Sequence, residues 1–354
     1  KIQNFNKKIK MKKIGIFTLT DALNYGAFYQ MFALQQYLKK KYGNEFEIVV
    51  YSPRENFKEK LIKYFSFNLK RFVRKTELRY KFNKSMYGIN VKSYRGEDLD
   101  IAFFGSDEIW NIENKSFPND PNFFGISVNA NKKIAYAPSI GYAKLDLFEF
   151  HPELMEGIKG LDAVLFRDEA TKKLAEKSEN LNISRVIDPT ILYDKWDDHK
   201  IQLKNKIRGP YIAYYSYISN PVFLDSLLKL SQEKNIPIIS AGYNTHSWAD
   251  ENLILSPWEF LSFIQNAECV FTTTFHGTIM STLMKTPVFF SGSSFKVKDF
   301  SNLMSLHKFK IDEKTTSNYI TKTLSSFGNN EILERKNELR SSSREILSSL
   351  LNKK

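Results

Sequence analysis

The amino-acid sequence predicts an α/β protein with two doubly wound domains and a cleft between them. The chain opens with a strand, a polar loop, a helix and a second strand over residues 12–51. The same alternation returns beyond the polar stretch Trp196–Pro210, where we place the domain boundary. Alternating strands and helices are typical of parallel sheets that are covered by helices. With 354 residues, the chain also has the usual length of two domains.

The first domain is expected over residues 11–196, with Met11 as the natural start of the chain. Short apolar runs in this domain predict buried strands, and each run ends in polar residues. The predicted strands are Lys12–Leu19, Phe46–Tyr51, Ile101–Phe104, Lys133–Ala137, Ala163–Phe166 and Arg185–Ile187, with a helix over Ala27–Lys40. Ligands of open α/β sheets bind beyond the carboxyl ends of the strands, so we expect the polar turns to line the cleft.

One stretch of the first domain departs from this alternation. Residues 54–84 carry 11 Lys and Arg against three Glu, with seven aromatic residues among them. So many charges do not fit a buried core, and we interpret residues 54–96 as a basic and aromatic helical insert. Such a segment suits a solvated face that packs its rings inward. It also suits a docking surface for an anionic membrane or an anionic lipid-linked acceptor.

The second domain is expected over residues 210–330, followed by a closing helix over residues 331–354 that crosses back over the first domain. Its predicted strands are Tyr211–Tyr215, Ile236–Ser240, Glu268–Thr272 and Val288–Phe290, which alternate with helices over Pro221–Lys234 and His276–Met284. Another helix begins at Ser256 and Pro257, because Glu259 stands three residues after the serine, as in a capping box.

Composition and charge exclude several classes of protein. Cys269 is the only cysteine, so no internal disulfide can form and a disulfide-stapled secreted protein is excluded. No apolar stretch reaches the roughly 18–20 residues that a membrane-spanning helix needs. The net charge of +13 is compatible with nucleic acid, an anionic membrane or an acidic substrate, and it does not distinguish among them. We expect a cytoplasmic location, which allows peripheral contact with the inner face of the membrane.

The sharpest candidate for chemistry is the turn over residues 272–278, which joins a buried strand to a helix. Free backbone N–H groups at a helix start bind anions, and Gly277 allows a ligand to approach closely. A histidine at such a turn can transfer a proton near neutral pH, which makes His276 the candidate catalytic residue. The alternative is structural: Thr274 caps the helix and His276 is a packed polar residue.

Two further turns are candidate binding sites. Ser106 and Asp107 follow the strand Ile101–Phe104 and can hold sugar hydroxyls, and Asp107 can also act as a base. The turn after the first strand contains Asn24, Tyr25 and Gly26. It has neither the GxGxxG spacing of a dinucleotide fold nor that of a P-loop, so neither an NAD site nor a Walker-type ATP site is supported. Capping of the following segment is the alternative for both turns.

Arg167 ends the strand Ala163–Phe166 and can contact an anionic ligand. A surface arginine beside Asp168 and Glu169 is an equal alternative. The five histidines are scattered, and no pair has zinc-ligand spacing, so no metal site is expected. The sequence also lacks the GxSxG motif of a nucleophile elbow.

Four of these stretches, taken in their order and spacing, resemble the polysaccharide pyruvyl transferase family. The resemblance covers about residues 12–310, and the ordered set of motifs carries it. The stretches are Gly15–Thr18 with Asn24–Ala27, Gly105–Asn111, Val186–Thr190, and Phe275–Thr278 after Ser256–Phe260.

The resemblance implies two Rossmann-like domains arranged as in GT-B glycosyltransferases. It implies phosphoenolpyruvate as the donor and a hydroxyl pair on a cell-surface glycan or its lipid-linked precursor as the acceptor, joined as a pyruvate ketal. No further cofactor is implied. The family's motif histidine falls on His276. We expect Asp107 as a second catalytic residue on the acceptor side, in the first domain, and the donor in the second. Substrate contacts are expected from Asn24, Tyr25, Gly26, Ser106, Arg167, Thr274, Gly277 and Thr278.

One position departs from the family pattern. Members often carry an arginine two residues before the motif histidine, where it contacts the donor, and this chain has Thr274 there. Either Arg167 or another basic residue supplies the missing charge, or the donor differs.

Two other functions stay open. A GT-B-type glycosyltransferase that uses a nucleotide sugar would have the same fold and loops. A nucleic-acid-binding protein is suggested by the basic residues 54–84, but no RNA- or DNA-binding motif accompanies them, so we expect no nucleic-acid partner.

Overall fold

The computed structural model describes residues 11–53, 68–115, 120–199, 203, 207–218, 221–292, 295–327 and 330–352. Within these ranges, the chain forms two parallel sheets of seven and five strands. The side chains of the first sheet point into two separate apolar clusters, one on each face. This arrangement confirms the predicted fold class of two Rossmann-like, doubly wound units.

The seven-stranded sheet belongs to the first domain, and every neighbouring pair in it is parallel. Its strand order is β3-β2-β1-β4-β5-β6-β7. The strands are β1 (Lys12–Phe17), β2 (Phe46–Ser52), β3 (Val91–Ser93), β4 (Leu99–Phe104), β5 (Ala130–Tyr136), β6 (Ala163–Phe166) and β7 (Asn182–Arg185). The helices of this domain are α1 (Tyr25–Tyr42), α2 (Leu69–Ser85), α3 (Pro152–Lys159), α4 (Glu169–Ala175) and the one-turn α5 (Pro189–Leu192), which follows the last strand.

The last strand of this sheet differs from the prediction, because it spans Asn182–Arg185 rather than Arg185–Ile187. The backbone N–H of Val186 still donates to the carbonyl of Phe166, at 2.8 Å. The N–H of Ile187 instead donates to the Ser343 hydroxyl on the last helix of the chain, at 3.1 Å. The chain therefore leaves the sheet one residue after the strand.

The segment 54–96 is not wholly an insert, which corrects the prediction. Strand β3 pairs in parallel with β2, so the chain between them is the crossover connection of the sheet. Its helix α2 buries Leu78 and Phe82, and the Phe82 ring lies 5.2 Å from that of Tyr25. The remaining part of the predicted basic segment, residues 54–67, lies outside the described residues. The proposed membrane contact of this segment stays a prediction.

The five-stranded sheet belongs to the second domain and is also parallel, with the order β10-β9-β8-β11-β12. Its strands are β8 (Ile212–Tyr215), β9 (Ile238–Ala241), β10 (Glu251–Leu253), β11 (Cys269–Thr272) and β12 (Val288–Phe290). The helices are α6 (Leu224–Lys234), α7 (Pro257–Gln265), α8 (Phe275–Met284), α9 (Phe295–Leu303), α10 (Ser317–Leu324) and α11 (Asn330–Asn352). The predicted capping box at Ser256 and Glu259 is present.

Helix α1 joins the two domains through its aromatic side chains. The Tyr25 ring stacks on Phe260 of α7 at 4.0 Å between ring centres, and its hydroxyl donates to the carbonyl of Leu255 at 2.8 Å. The ring of Phe28 contacts Trp258 edge to face at 5.0 Å. Because α1 follows β1, these contacts hold the carboxyl edge of the first sheet against the second domain.

The last helix, α11, returns from the second domain to the first. Arg344 donates to the carboxylate of Asp194 at 3.1 Å, and Leu347 is fully buried. Leu339, on the same helix, closes one side of the space between the domains. Among the described helices, none combines the length and the apolar character that crossing a membrane requires.

Candidate active site

Three buried charged or polar side chains meet where the two domains face each other. Arg167 follows β6, Asp188 follows β7, and His276 lies in the first turn of α8. Their exposed fractions are only 5%, 4% and 8%, respectively. The Nε2 atom of His276 lies 3.5 Å from Oδ2 of Asp188, and Nη1 of Arg167 forms an ion pair with that same oxygen. Asp188 therefore joins the imidazole and the guanidinium.

The second oxygen of Asp188 is held by its own chain. It accepts hydrogen bonds from the backbone N–H and the hydroxyl of Thr190, at 3.0 and 2.7 Å, where it caps α5. Burial alone would raise the pKa of Asp188, but the imidazole of His276 and the guanidinium of Arg167 lower it well below its usual value. Asp188 is therefore a fixed negative charge beside His276.

Gly26 allows helix α1 to approach His276. A Cβ atom built on Gly26 would lie 2.0 Å from Nδ1 of His276, far inside van der Waals contact. The glycine, which was predicted as a substrate contact, thus makes room for the imidazole. Asn24 caps α1 by accepting from the N–H groups of Gly26 and Ala27, at 2.8 and 3.3 Å.

We predict that Gly26→Ala destabilises the protein by about 1–3 kcal/mol, because the added methyl group must displace either His276 or α1. Thermal unfolding measures the effect. The matched control is Gly160→Ala, whose added methyl would meet no atom closer than 3.4 Å and should leave the unfolding temperature close to that of the wild type. Equal unfolding temperatures for the two variants would contradict the close approach.

Arg167 keeps hydrogen-bonding capacity that no described residue uses. Its Nε and Nη2 atoms are buried and make no hydrogen bond within the described chain. The nearest carboxylate oxygen to Nη2, on Asp107, is 3.6 Å away, which is too long for a direct hydrogen bond. A buried donor without a partner costs about 1–3 kcal/mol, so the guanidinium is prepared to bind an anionic ligand.

A second cation stands close to Arg167. The ammonium of Lys296, in the first turn of α9, lies 5.5 Å from the centre of the Phe275 ring, and the guanidinium of Arg167 lies 5.1 Å from it. Lys296 also forms an ion pair with Glu108 of the first domain. Burial opposes ionisation of Glu108, but Lys296 lowers the pKa of this carboxyl to about 2. The sequence analysis did not identify Lys296 as a site residue. Its position shortly after the strand β12, which ends at the cleft, is the feature of the sequence that could have indicated it.

Arg167 and Lys296 line a narrow cavity between the domains. Its lining combines charged groups with apolar side chains, among them Leu339 from the last helix. The lining residues are Arg167, Asp168, Val186, Ile187, Asp188, Ile191, Phe275, Lys296, Phe300, Leu303 and Leu339. An apolar cavity with a few convergent charges is typical of a small-molecule binding site.

Asp107 and Ser106 have different surroundings. Asp107 is 4% exposed, and its Oδ1 atom, which lies 3.6 Å from Arg167, also accepts from the N–H of Glu108 at 2.9 Å. Ser106 is fully buried, and its hydroxyl and N–H both donate to the side chain of Gln30. Asp107 therefore belongs to the cluster around Arg167, whereas Ser106 is buried and holds the turn through its hydrogen bonds to Gln30.

The remaining predicted contacts take part in the packing of the fold. Thr274 caps α8 by accepting from the N–H of Gly277 at 3.0 Å, and Thr278 donates its hydroxyl to the Thr274 carbonyl at 3.1 Å. A Cβ on Gly277 would lie 2.4 Å from the Thr272 hydroxyl, so this glycine is required by packing. Tyr25 uses its hydroxyl between the domains. Substrate contacts of these residues stay predictions.

Asp188 is the other site residue that sequence reasoning passed over, although it stands in one of the motifs behind the family resemblance. The pattern that could have indicated Asp188 is a carboxylate directly after a predicted strand and before a proline. Over the ranges that the structure covers, no group of three His, Cys, Asp or Glu side chains is placed to hold a metal ion.

Solved structures with the same architecture come from nucleotide-sugar enzymes. UDP-GlcNAc 2-epimerase from Neisseria meningitidis, bound to UDP-GlcNAc, superposes with a TM-score of 0.55 at 8% identity, covering 97% of this chain and 100% of that one. A UDP-forming α,α-trehalose-phosphate synthase from Burkholderia vietnamiensis has a TM-score of 0.53 at 9% identity, covering 97% of each chain. At these identities the likeness shows the fold alone, which is of the GT-B type.

Sequence comparison is more specific about the family. No protein with a curated description matches the chain. The family model of the polysaccharide pyruvyl transferases matches residues 24–294, a range that includes Gly26, Asp107, Arg167, Asp188 and His276. Because this match covers well over half of the sequence, the chain belongs to the polysaccharide pyruvyl transferase family.

Proposed function

We propose that this protein transfers the pyruvyl group of phosphoenolpyruvate to two hydroxyl groups of a glycan or its lipid-linked precursor, forming a pyruvate ketal. The observation that carries the proposal is the buried cluster of His276, Asp188 and Arg167. Asp188 and Arg167 line one interdomain cavity together with Lys296, and His276 lies behind Asp188. Phosphoenolpyruvate has a carboxylate and a phosphate on the same carbon atom, C2, so two nearby cations and a proton donor match its chemistry.

In this proposal, Arg167 and Lys296 bind the donor. The planar guanidinium has donors in a fork that matches a carboxylate or phosphate, and the ammonium supplies a point charge. Together they replace the charge that is missing at Thr274. Glu108 neutralises Lys296 while the donor is absent, and the donor's anionic groups compete with that carboxylate when they arrive.

The proposed reaction forms two C–O bonds at C2 of phosphoenolpyruvate and releases phosphate. One acceptor hydroxyl oxygen bonds to C2 of phosphoenolpyruvate, and a proton adds to the methylene carbon, which becomes a methyl group. The second hydroxyl oxygen then bonds to C2 as the C2–O bond to phosphate breaks. Of the two hydroxyl protons, one balances the proton gained by carbon and the other leaves with phosphate. No electrons are exchanged with a cofactor.

His276 is proposed to give the proton to the methylene carbon. The Oδ2 atom of Asp188 lies 3.5 Å from Nε2 of His276 and orients the imidazole, as buried carboxylates beside catalytic histidines do. Asp107, whose Oδ1 atom lies 3.6 Å from Arg167, is proposed to accept a proton from the attacking hydroxyl. General acid–base catalysis of this kind is worth about 10²–10⁴-fold in rate.

Two substitutions separate the donor side from the acceptor side. We expect Lys296→Gln to reduce the rise in unfolding temperature that phosphoenolpyruvate produces and to raise KM for this donor, because one binding charge is lost. Asp107→Asn should leave that rise unchanged and should impair acceptor use. If Asp107→Asn weakens the donor instead, while the acceptor kinetics stay unchanged, our assignment of the two sides is reversed.

The fold also favours a second candidate, a GT-B-type glycosyltransferase that uses a nucleotide sugar. Its support is the likeness to nucleotide-sugar enzymes. The same melting experiment with UDP distinguishes the two functions. Stabilisation by UDP without any response to phosphoenolpyruvate would favour this candidate over pyruvyl transfer.

A peripheral membrane contact through residues 54–84 is proposed as part of this function. On α2, Leu69, Phe72 and Val73 share one face and are 75%, 39% and 56% exposed. Apolar side chains next to lysine and arginine suit an anionic lipid surface. We expect co-sedimentation with anionic vesicles at low salt, and less of it after all three are replaced by serine. Val222→Ser is the exposed control, and no binding at low salt would contradict the contact.

A further inference from the structure

The carboxylate beside His276 stands at the start of a very short helix. Asp188 is the residue immediately before α5, and its side chain caps this helix by accepting from Thr190. The helix itself has only four residues. Isolated helices shorter than about 12–15 residues are marginal in water, so a single turn depends on partners outside itself for its position. The place of the Asp188 carboxylate is therefore set by the groups that hold α5.

The last helix of the chain, α11, supplies such partners at both ends of the turn. Before it, the backbone N–H of Ile187 donates to the hydroxyl of Ser343 at 3.1 Å, and this serine is buried. At its end, Arg340 donates its Nε–H to the carbonyl of Ile191 at 2.5 Å, and Arg344 donates to the next carbonyl along the chain. Carbonyls at a helix end have no partner within the helix, so the two arginines satisfy groups that α5 leaves open.

The three side chains share one face of α11. Residues three and four positions apart are neighbours on a helix, and Arg340, Ser343 and Arg344 have this spacing. Their hydrogen bonds reach the residue before Asp188 on one side and the end of α5 on the other. The carboxylate between these points lies with its Oδ2 atom 3.5 Å from Nε2 of His276. Helix α11 thus holds Asp188 in place from outside the cavity.

The other end of α11 is fixed to the second domain. The Nε–H of Arg335, near the start of α11, donates to the carbonyl of Leu303 at 3.1 Å. Leu303 is the last residue of α9, the helix that carries Lys296 in its first turn. One helix therefore ties the turn that bears Asp188, in the first domain, to the domain that carries His276.

We infer that Ser343 is a positioning residue: through the backbone of Ile187 it sets the Asp188 carboxylate against His276. The inference rests on the proposed pyruvyl transfer and adds to it a residue outside the donor cavity. Of the three α11 side chains, Ser343 is the one whose hydrogen bond lies next to Asp188 in the chain. Ser343 is not among the described side chains that line the donor cavity, so its loss should lower turnover without weakening donor binding.

The first test does not depend on turnover. Nuclear magnetic resonance of the full chain with isotope-labelled histidine measures the ring resonances of His276, which are identified by their loss in His276→Gln. We expect Ser343→Ala to shift these resonances, because the carboxylate beside the ring moves, while the resonances of His151 stay in place. The matched control is Ser226→Ala, which removes a buried hydroxyl that donates to the carbonyl of Phe223 at 3.3 Å and should leave His276 unchanged.

The second test measures turnover as phosphate released from phosphoenolpyruvate, with a panel of methyl glycosides as acceptors. Ser343→Ala should lower kcat about 10-fold and leave KM for phosphoenolpyruvate unchanged, because a small misplacement of a catalytic group costs rate. In the His276→Gln background the same substitution should have almost no further effect on kcat, since the imidazole that Asp188 orients is gone. Ser226→Ala should keep the kcat of the wild type.

Three results would overturn the inference. They are His276 resonances that do not respond to Ser343→Ala, an unchanged kcat, and an equal loss of kcat in the wild-type and His276→Gln backgrounds, which a general loss of stability would give. Failure of the proposed pyruvyl transfer has a different signature. In that case phosphoenolpyruvate would neither raise the unfolding temperature of the wild type nor release phosphate, while the His276 resonances would still report the link to Ser343.

Discussion

Replacement of His276 by alanine is expected to lower pyruvyl-transfer turnover by about 100-fold or more, because the methylene carbon then lacks its proton donor. Phosphoenolpyruvate should still raise the unfolding temperature of the variant, since Arg167 and Lys296 are intact. Steady-state kinetics and thermal unfolding measure these effects.

His276→Gln tests whether the loss comes from chemistry or from packing. Glutamine fills much of the same space beside Gly26 and can still hydrogen-bond, but it cannot transfer a proton at neutral pH, so turnover should remain low. His199→Gln is the control, because His199 stacks on Trp258 outside the cavity and bonds to Tyr193. Near-normal turnover in either His276 variant would remove this residue from the mechanism.

Replacement of Arg167 by alanine is expected to have the largest effect on stability. The guanidinium is the buried counter-charge of Asp188 and lies 3.6 Å from Asp107, so its loss leaves carboxylates buried without their cation. Removing one partner of a buried ion pair costs about 3–5 kcal/mol in the free energy of unfolding. The unfolding temperature should fall by about 2–4 °C for each kcal/mol, and the response to phosphoenolpyruvate should disappear.

Arg167→Lys separates the two roles of this residue. A lysine keeps the positive charge next to Asp188, so most of the stability should return. The ammonium lacks the planar fork of donors, so donor affinity should stay well below that of the wild type. An alanine variant that unfolds at the wild-type temperature and responds normally to phosphoenolpyruvate would show that the Arg167 ion pair has neither role.

Much of the local structure follows from the sequence. Residues Ala163–Phe166 form a strand as predicted, because four consecutive apolar residues before a charged turn suit a strand that is buried on both faces. Helix α7 begins at its predicted capping box, since Ser256 and Glu259 satisfy each other's backbone N–H groups. Patterns of this kind depend on neighbours within a few residues, which the sequence displays directly.

The crossover through α2 shows where such reasoning fails. Its charge and aromatic content suggested an insert, but only three residues, Val91–Ser93, had to pair with β2 for the segment to become part of the sheet. A strand so short has almost no periodic signal. Whether Phe82 packs inward or faces solvent likewise depends on α1, which lies far away in the sequence.

The sequence by itself determined the two α/β units, the family, and the individual candidates His276, Arg167 and Asp107. Only the tertiary structure decided that Asp188 joins His276 to Arg167 and that Lys296 lines the same cavity as Arg167. It also decided that Gly26 leaves the space that the imidazole of His276 occupies. The physical reason is that parallel sheets collect the carboxyl ends of strands that are distant in the chain. The partners of each charge are therefore set by strand order and by how the two domains pack, and neither leaves a local pattern in the sequence.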